Sequence, residues 1–226
     1  MVKTKLFKWS IVVIIIHLAI VLYFSGMIGT EGRIPIHWNY RGEIDSEAGR
    51  DFGLWFFWGF NALILVVFIL FSQFSPRYKR NSERFDLILP KLALVLSFFM
   101  MIMHLYMLLL AVGFPYLNRE KSIFILIGLL FIFLGNLLPK IPSNFIAGVR
   151  TPWTLTSDRN WHKTHRVSGF VFVIGGVLML LRGIVNMRSP FTIIHTFGIL
   201  ALLLLYPILY SYILFLKEKK EKAGEE

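Results

Sequence analysis

Six long apolar runs, most of them near twenty residues, dominate the chain and decide what it can fold into. A backbone in hydrocarbon must satisfy every N–H and C=O internally, so runs of this kind are read as membrane-spanning helices. The expected fold class is therefore all-α: a polytopic membrane protein with six transmembrane helices. Composition agrees. Hydrophobic residues make up 56% of the chain and charged residues 16%, with a mean hydropathy of +0.66, whereas soluble domains carry about 25% charged residues. Six spans in 226 residues leave no room for a separate soluble domain of ordinary size. The absence of cysteine removes disulfides, thiolate nucleophiles and Cys-based metal sites from consideration.

The runs are Ile11 to Met27, Leu54 to Phe74, about Lys91 to Val112, Ser122 to Leu138, Val167 to about Val185, and Phe191 to Leu216. The first follows Lys3, Lys5 and Lys8. It is long for a cleaved signal peptide and no A-x-A-like site follows, so a retained helix is expected. Pro90 is expected at the start of the third span, where proline is tolerated. Asn61 in the second is expected to face another helix. Gly169, Gly175, Gly176 and Gly183 in the fifth permit close helix approach. Arg182 is expected to snorkel to the interface, and Pro207 to kink the last span.

Orientation follows from the basic residues. The N-terminus, the second loop, the stretch 135–169 and the tail hold 17 Lys and Arg, against 7 in the other loops. By the positive-inside rule both the N- and C-termini and the stretch 135–169 are expected in the cytoplasm, with the first loop outside. The net charge of +11 is read the same way, and no direct contact with nucleic acid is expected. The first loop, Glu31 to Asp51, has five acidic residues against three Arg. Its alternation around Ile34 to Trp38, followed by Arg41-Gly42, predicts a short extended segment and a turn. The third loop is placed at Tyr116 to Lys121.

The stretch from Gly135 to Gly169 is a polar, aromatic island between two apolar spans. Pro152 pushes Thr151 towards an extended conformation. Trp153 suits an interfacial position. Arg150 offers a planar charge for a lipid phosphate, a helix C-terminus or a peptide carboxylate. Thr156 or Ser157 can cap a helix with Trp161, His165, Ser168 and Phe172 on one face. Asp158, His162 and His165 have a spacing that three metal ligands on one helix face could use. Polar residues are common where a helix enters a membrane, however, so neither a metal nor a cofactor is expected. His17, His104 and His195 fall within spans and are read first as hydrogen-bonded packing residues, with proton-linked or ligand roles as the alternative. His17 and His104 sit near mid-membrane and His195 nearer the outer surface, with no requirement that they meet. No Asp or Glu lies inside a span, which argues against a transporter and against glutamate-based intramembrane hydrolysis.

The segment Asn144-Phe-Ile-Ala-Gly-Val-Arg-Thr-Pro-Trp-Thr-Leu, with Trp161-His-Lys-Thr-His-Arg-Val-Ser-Gly169, resembles the signature of the SdpI family of bacterial membrane proteins. Pro35-Ile-His-Trp-Asn-Tyr-Arg-Gly42, followed by Asp45, resembles a short membrane domain of unknown function often found at the N-terminus of that family. The resemblance implies two halves. Residues 1–120 would form an N-terminal half with three helices and an outer Pro-x-His-Trp loop. Residues 121–226 would form an SdpI-like half with three helices and a cytoplasmic Arg-Thr-Pro-Trp loop. It implies Asn144, Gly148, Arg150, Thr151, Pro152, Trp153, Trp161, Thr164 and His165 inside, with His37, Trp38 and Asp45 outside, as ligand- or partner-binding positions. It also implies a multi-pass cell-membrane immunity and signalling protein, not an enzyme. Such a protein protects against a secreted antimicrobial peptide and sequesters an ArsR-type repressor. The competing reading is a small membrane enzyme or a protein binding lipid headgroups at the inner interface, with Arg150, Trp153 and His165 converging on one cavity.

Overall fold

The computed structural model describes residues 5, 7–115, 121–185 and 191–223. Lys3, the third loop at 116–120 and the end of the tail lie outside them. Eight helices run in chain order as α1 (Lys8–Ser25), α2 (Arg50–Phe74), α3 (Pro76–Arg80), α4 (Ser82–Ala111), α5 (Ser122–Leu137), α6 (Pro152–Thr156), α7 (Asp158–Ile184) and α8 (Phe191–Ala223). Six of them are long and apolar enough to cross a membrane. The chain is an all-α, multi-pass membrane protein, as the apolar runs predict.

The one sheet among the described residues is a hairpin of β1 (Arg33–Trp38) and β2 (Ile44–Gly49) between α1 and α2. The expected extended segment and turn are present: Asn39 Oδ1 accepts from the backbone N–H of Arg41 and Glu43, and Gly42 adopts φ +91. The second strand, Ile-Asp-Ser-Glu-Ala-Gly, carries no apolar alternation to reveal it and forms by pairing with β1. Ile34 is fully buried and packs where a Cβ on Gly53 would stand only 2.7 Å away. Arg50 donates from Nε to the Ile28 carbonyl at 2.9 Å and from Nη2 to the Ser25 carbonyl at 2.7 Å. It thus satisfies carbonyls left open at and just beyond the end of α1 and staples the start of α2, where the hairpin ends, to that helix.

Two expectations need correction. α4 begins at Ser82, so Pro90 lies inside the helix and not at its start. The proline gives up one backbone bond. The turns before it bury Phe85, Ile88 and Leu89, with Phe85 against Phe71 and Tyr78, and this packing carries the helix through. Arg182 does not snorkel. It is 6% exposed, with its guanidinium 4.6 Å from the Phe124 ring centre and Nη2 donating to the Tyr40 carbonyl.

α1, α2 and α4 pack together beneath the hairpin, and α5, α7 and α8 pack together, with α4 also touching α5. Within the first group His17 and His104 do meet. His104 Nε2 donates to the Gly53 carbonyl at 2.8 Å, so its Nδ1 is left to accept, and His17 Nε2 donates to it at 2.8 Å. His17 Nδ1 in turn accepts from Asn61 Nδ2, which also donates to the Ser97 carbonyl. Asn61 faces its neighbours as expected. In the second group α5 and α7 touch backbone to backbone. A Cβ at Gly176 would lie 2.6 Å from the Gly128 carbonyl oxygen, and one at Gly135 would lie 2.7 Å from that of Gly169. Only glycine permits this seam.

Candidate functional site: the island between α5 and α7

After α5 the chain makes a 3-10 turn at Leu138–Lys140 and enters a loop that α6 and α7 close. Asn144, almost fully buried, organises that loop. Its Oδ1 accepts from the N–H of Ile146 and Ala147, and its Nδ2 donates to the carbonyls of Pro142 and Ala147. Such side-chain bonds to nearby backbone stand in for secondary structure. Gly148 follows at φ +112, and a Cβ there would collide with His165 Nε2. Glycine is needed for both reasons.

His165 is fully buried and both ring nitrogens are committed. Nδ1 donates to the Trp161 carbonyl at 2.9 Å, and Nε2 accepts from the Val149 N–H at 3.0 Å. These partners set a neutral imidazole with its proton on Nδ1. The ring stacks on Trp161 with centroids 3.9 Å apart, and Trp161 Nε1 donates to the Ile141 carbonyl. His165 and Trp161 thus pin the two ends of the loop to α7.

Thr151 is extended, as Pro152 requires, and caps the short α6 in a reciprocal capping box with Thr154. Thr154 Oγ1 also donates to the Val149 carbonyl. Ser157 caps α7 by accepting from the Asn160 N–H, one of the two caps expected. α8 joins the island through Ser211: its hydroxyl meets Thr151 Oγ1 at 3.1 Å, and its carbonyl accepts from Asn160 Nδ2 at 2.9 Å. Thr164 donates to Asn160 Oδ1. Trp153, half-buried, packs its ring on Tyr212 and Phe215 of α8. From α3, Arg77 donates to Ser143 Oγ and the Leu155 carbonyl, and lies 4.0 Å from the Phe145 ring centre. Four elements therefore hold the island.

The sequence-predicted positions divide accordingly. Asn144, Thr151, Trp161, Thr164 and His165 are buried within the island, while Arg150 and Pro152 are exposed. Arg150 Nη1 donates to the Phe145 carbonyl at 2.5 Å, across the loop that contains Gly148. Arg150, Trp153 and His165 do not converge, since one is exposed, one leans on α8 and one is sealed inside. His162 is exposed whereas His165 is buried, and no metal-binding cluster is found among the described residues. Asn160, Thr154, Ser211 and Arg77 belong to the site too. Their polar character inside or beside apolar runs was the available signal.

On the other face of the molecule, His37 Nδ1 lies 2.5 Å from Asp45 Oδ1 across the hairpin, both exposed. Trp38 stacks on Tyr106 of α4 with centroids 5.6 Å apart. Tyr40 packs near Phe197 of α8 and offers its carbonyl to Arg182 of α7.

Residues 140–211, from the entrance of the island to Ser211 in α8, match the SdpI/YfhL protein family. The chain is 24% identical over 117 residues to the immunity protein SdpI of Bacillus subtilis (strain 168). That match covers 52% of this chain and 55% of the relative, so the chain spans about half the length of the curated protein it matches. No solved structure matches. The resemblance carried by the island is borne out.

Proposed function

We propose that this SdpI-like chain is a membrane immunity and signalling protein whose outer hairpin and inner island are coupled through α7. The observation that carries this reading is the placement of both contacts on one helix. Arg182, near one end, is bonded to Tyr40 of the hairpin, and Asn160, Trp161 and His165, near the other, hold the island. Both termini and the island face the cytoplasm in this reading, and the acidic hairpin faces outside. A secreted cationic peptide that engages the hairpin and the outer ends of α7 and α8 favours one packing of these helices over another. The island then presents Arg150 and Pro152 differently to a cytosolic repressor of the ArsR type. The name of the bacterial relative and the family match support the immunity role. The exposed hairpin and the exposed corner of the island support the two-ended mechanism.

The test is made in nanodiscs and in cells. Hydrogen exchange over residues 144–156 is measured with and without a candidate antimicrobial peptide added on the hairpin side. A change in protection there, and resistance in cells that Arg150→Ala weakens for signalling while leaving peptide binding intact, are the expected results. Unchanged exchange with bound peptide sinks the coupling. Absence of any protection against secreted peptides sinks the immunity role.

A further inference from the structure

Arg182 is the one buried guanidinium among the described residues, and it has no carboxylate partner there. The ion pairs among those residues join His37 to Asp45, Arg50 to Asp51 and Arg159 to Glu221, and Arg182 takes part in none. Among the described residues its contacts include one long hydrogen bond of 3.3 Å to the Tyr40 carbonyl and the face of Phe124. An ionised group in hydrocarbon without a partner is costly, and such residues mark binding sites and pathways. The surroundings repeat the signal. Arg182 Nε, Trp38 Nε1, His195 Nδ1 and Thr196 Oγ1 are all buried without a hydrogen-bond partner. They come from the hairpin, α7 and α8, which meet here: Tyr40 touches both Arg182 and Phe197, and His195 lies within electrostatic reach of Arg182. Partnerless buried polar atoms on elements that meet at a cation with no carboxylate partner suit an anionic ligand.

We propose that the outer ends of α7 and α8, under the hairpin, form a carboxylate-binding site in which Arg182, assisted by Trp38 and Thr196, receives the C-terminal carboxylate of an external peptide. The planar fork of a guanidinium matches a carboxylate in two-point contact. The hairpin above is acidic, with five carboxylates against three Arg in residues 31–51. That rim attracts a cationic peptide and repels an anionic lipid headgroup. A cationic peptide ending in a free carboxylate satisfies both layers at once. This inference rests on the proposed sensing of peptide at the outer face and adds the chemical group that is recognised.

The test compares a short Lys/Leu-rich amphipathic peptide bearing a free C-terminal carboxylate with its amidated twin. Both are titrated onto the full chain in phosphatidylcholine nanodiscs. Binding of the free acid is expected to be about tenfold tighter than that of the amide, and Arg182→Gln should abolish the difference. Arg182→Gln should also raise the melting temperature of the peptide-free protein, because it removes an uncompensated buried charge, whereas a purely structural arginine would lower it on removal. Equal binding of acid and amide to the wild-type chain overturns the site, as does failure of both to bind. The acid–amide comparison needs no variant to fold. If phosphatidylglycerol nanodiscs without peptide give the same Arg182-dependent stabilisation, the ligand is a lipid phosphate and the peptide assignment falls. A peptide that binds indifferently to amidation yet alters exchange in the island leaves the coupling mechanism standing and removes only the carboxylate site.

Discussion

The imidazole of His165 holds Val149 with one nitrogen and Trp161 with the other, and Gly148 leaves the ring the space it occupies. Removing the ring strands a buried N–H and a carbonyl and opens a void beside Trp161. His165→Ala should therefore cost about 2–4 kcal/mol, read as a fall in melting temperature in detergent. Gly148→Ala combines a positive φ with a collision and should cost at least about 1–3 kcal/mol. Arg150→Ala should behave differently. Its side chain is exposed and makes one loop bond, so stability should change by under about 1 kcal/mol, while the proposed coupling to a cytosolic partner should weaken. At this scale the sequence shows the motif clearly but not the division of labour within it. Asn144, Thr151 and Thr164 are taken as binding residues through the resemblance of their segment to the SdpI signature. Their partners show them holding the island's shape, and one of those partners, Ser211, lies 60 residues from Thr151. No local pattern encodes so distant a contact.

Among the elements, the closest contact is the glycine seam of α5 and α7. Gly176→Leu would drive a side chain into the Gly128 carbonyl and Ile132. Separating the helices should destabilise the bundle by roughly 2 kcal/mol or more and loosen hydrogen-exchange protection along both. The chain of His104, His17 and Asn61 offers a second test. His104→Leu leaves His17 Nε2–H and the Gly53 carbonyl without their partner. The double variant His17→Leu, His104→Leu should therefore be less damaging than the sum of the two singles, with a coupling of about 0.5–2 kcal/mol in a double-mutant cycle. The six spans were legible because hydrocarbon imposes their length and composition. The close approach of α5 and α7 was legible in part from the glycines of α7. The early start of α4 was not, since the charged turns around Ser82 to Pro90 lack the apolar character of a span and are held by Phe71 and Tyr78. Strand β2 stayed hidden for a related reason: it gains its shape from β1, not from its own residues.

At the scale of the whole molecule, the positive-inside count predicts which loops face which compartment, and the chain is well suited to a direct check. It contains no cysteine, so single cysteines can be introduced without background. Ser46→Cys in the hairpin should react with a membrane-impermeant maleimide in intact cells, and Thr156→Cys at the end of α6 only after permeabilisation. The reverse labelling would overturn the assigned orientation. The bond from Arg182 to Tyr40 joins residues 142 apart in sequence, and this bears on how the protein is made. The ribosome delivers α1, the hairpin and α2 to the translocon long before α7 exists. During synthesis the hairpin can be held by Arg50, but the Arg182–Tyr40 bond can close only once α7 has been made. A nascent chain that ends before α7 therefore lacks this bond, and its absence separates an unfinished molecule from a finished one.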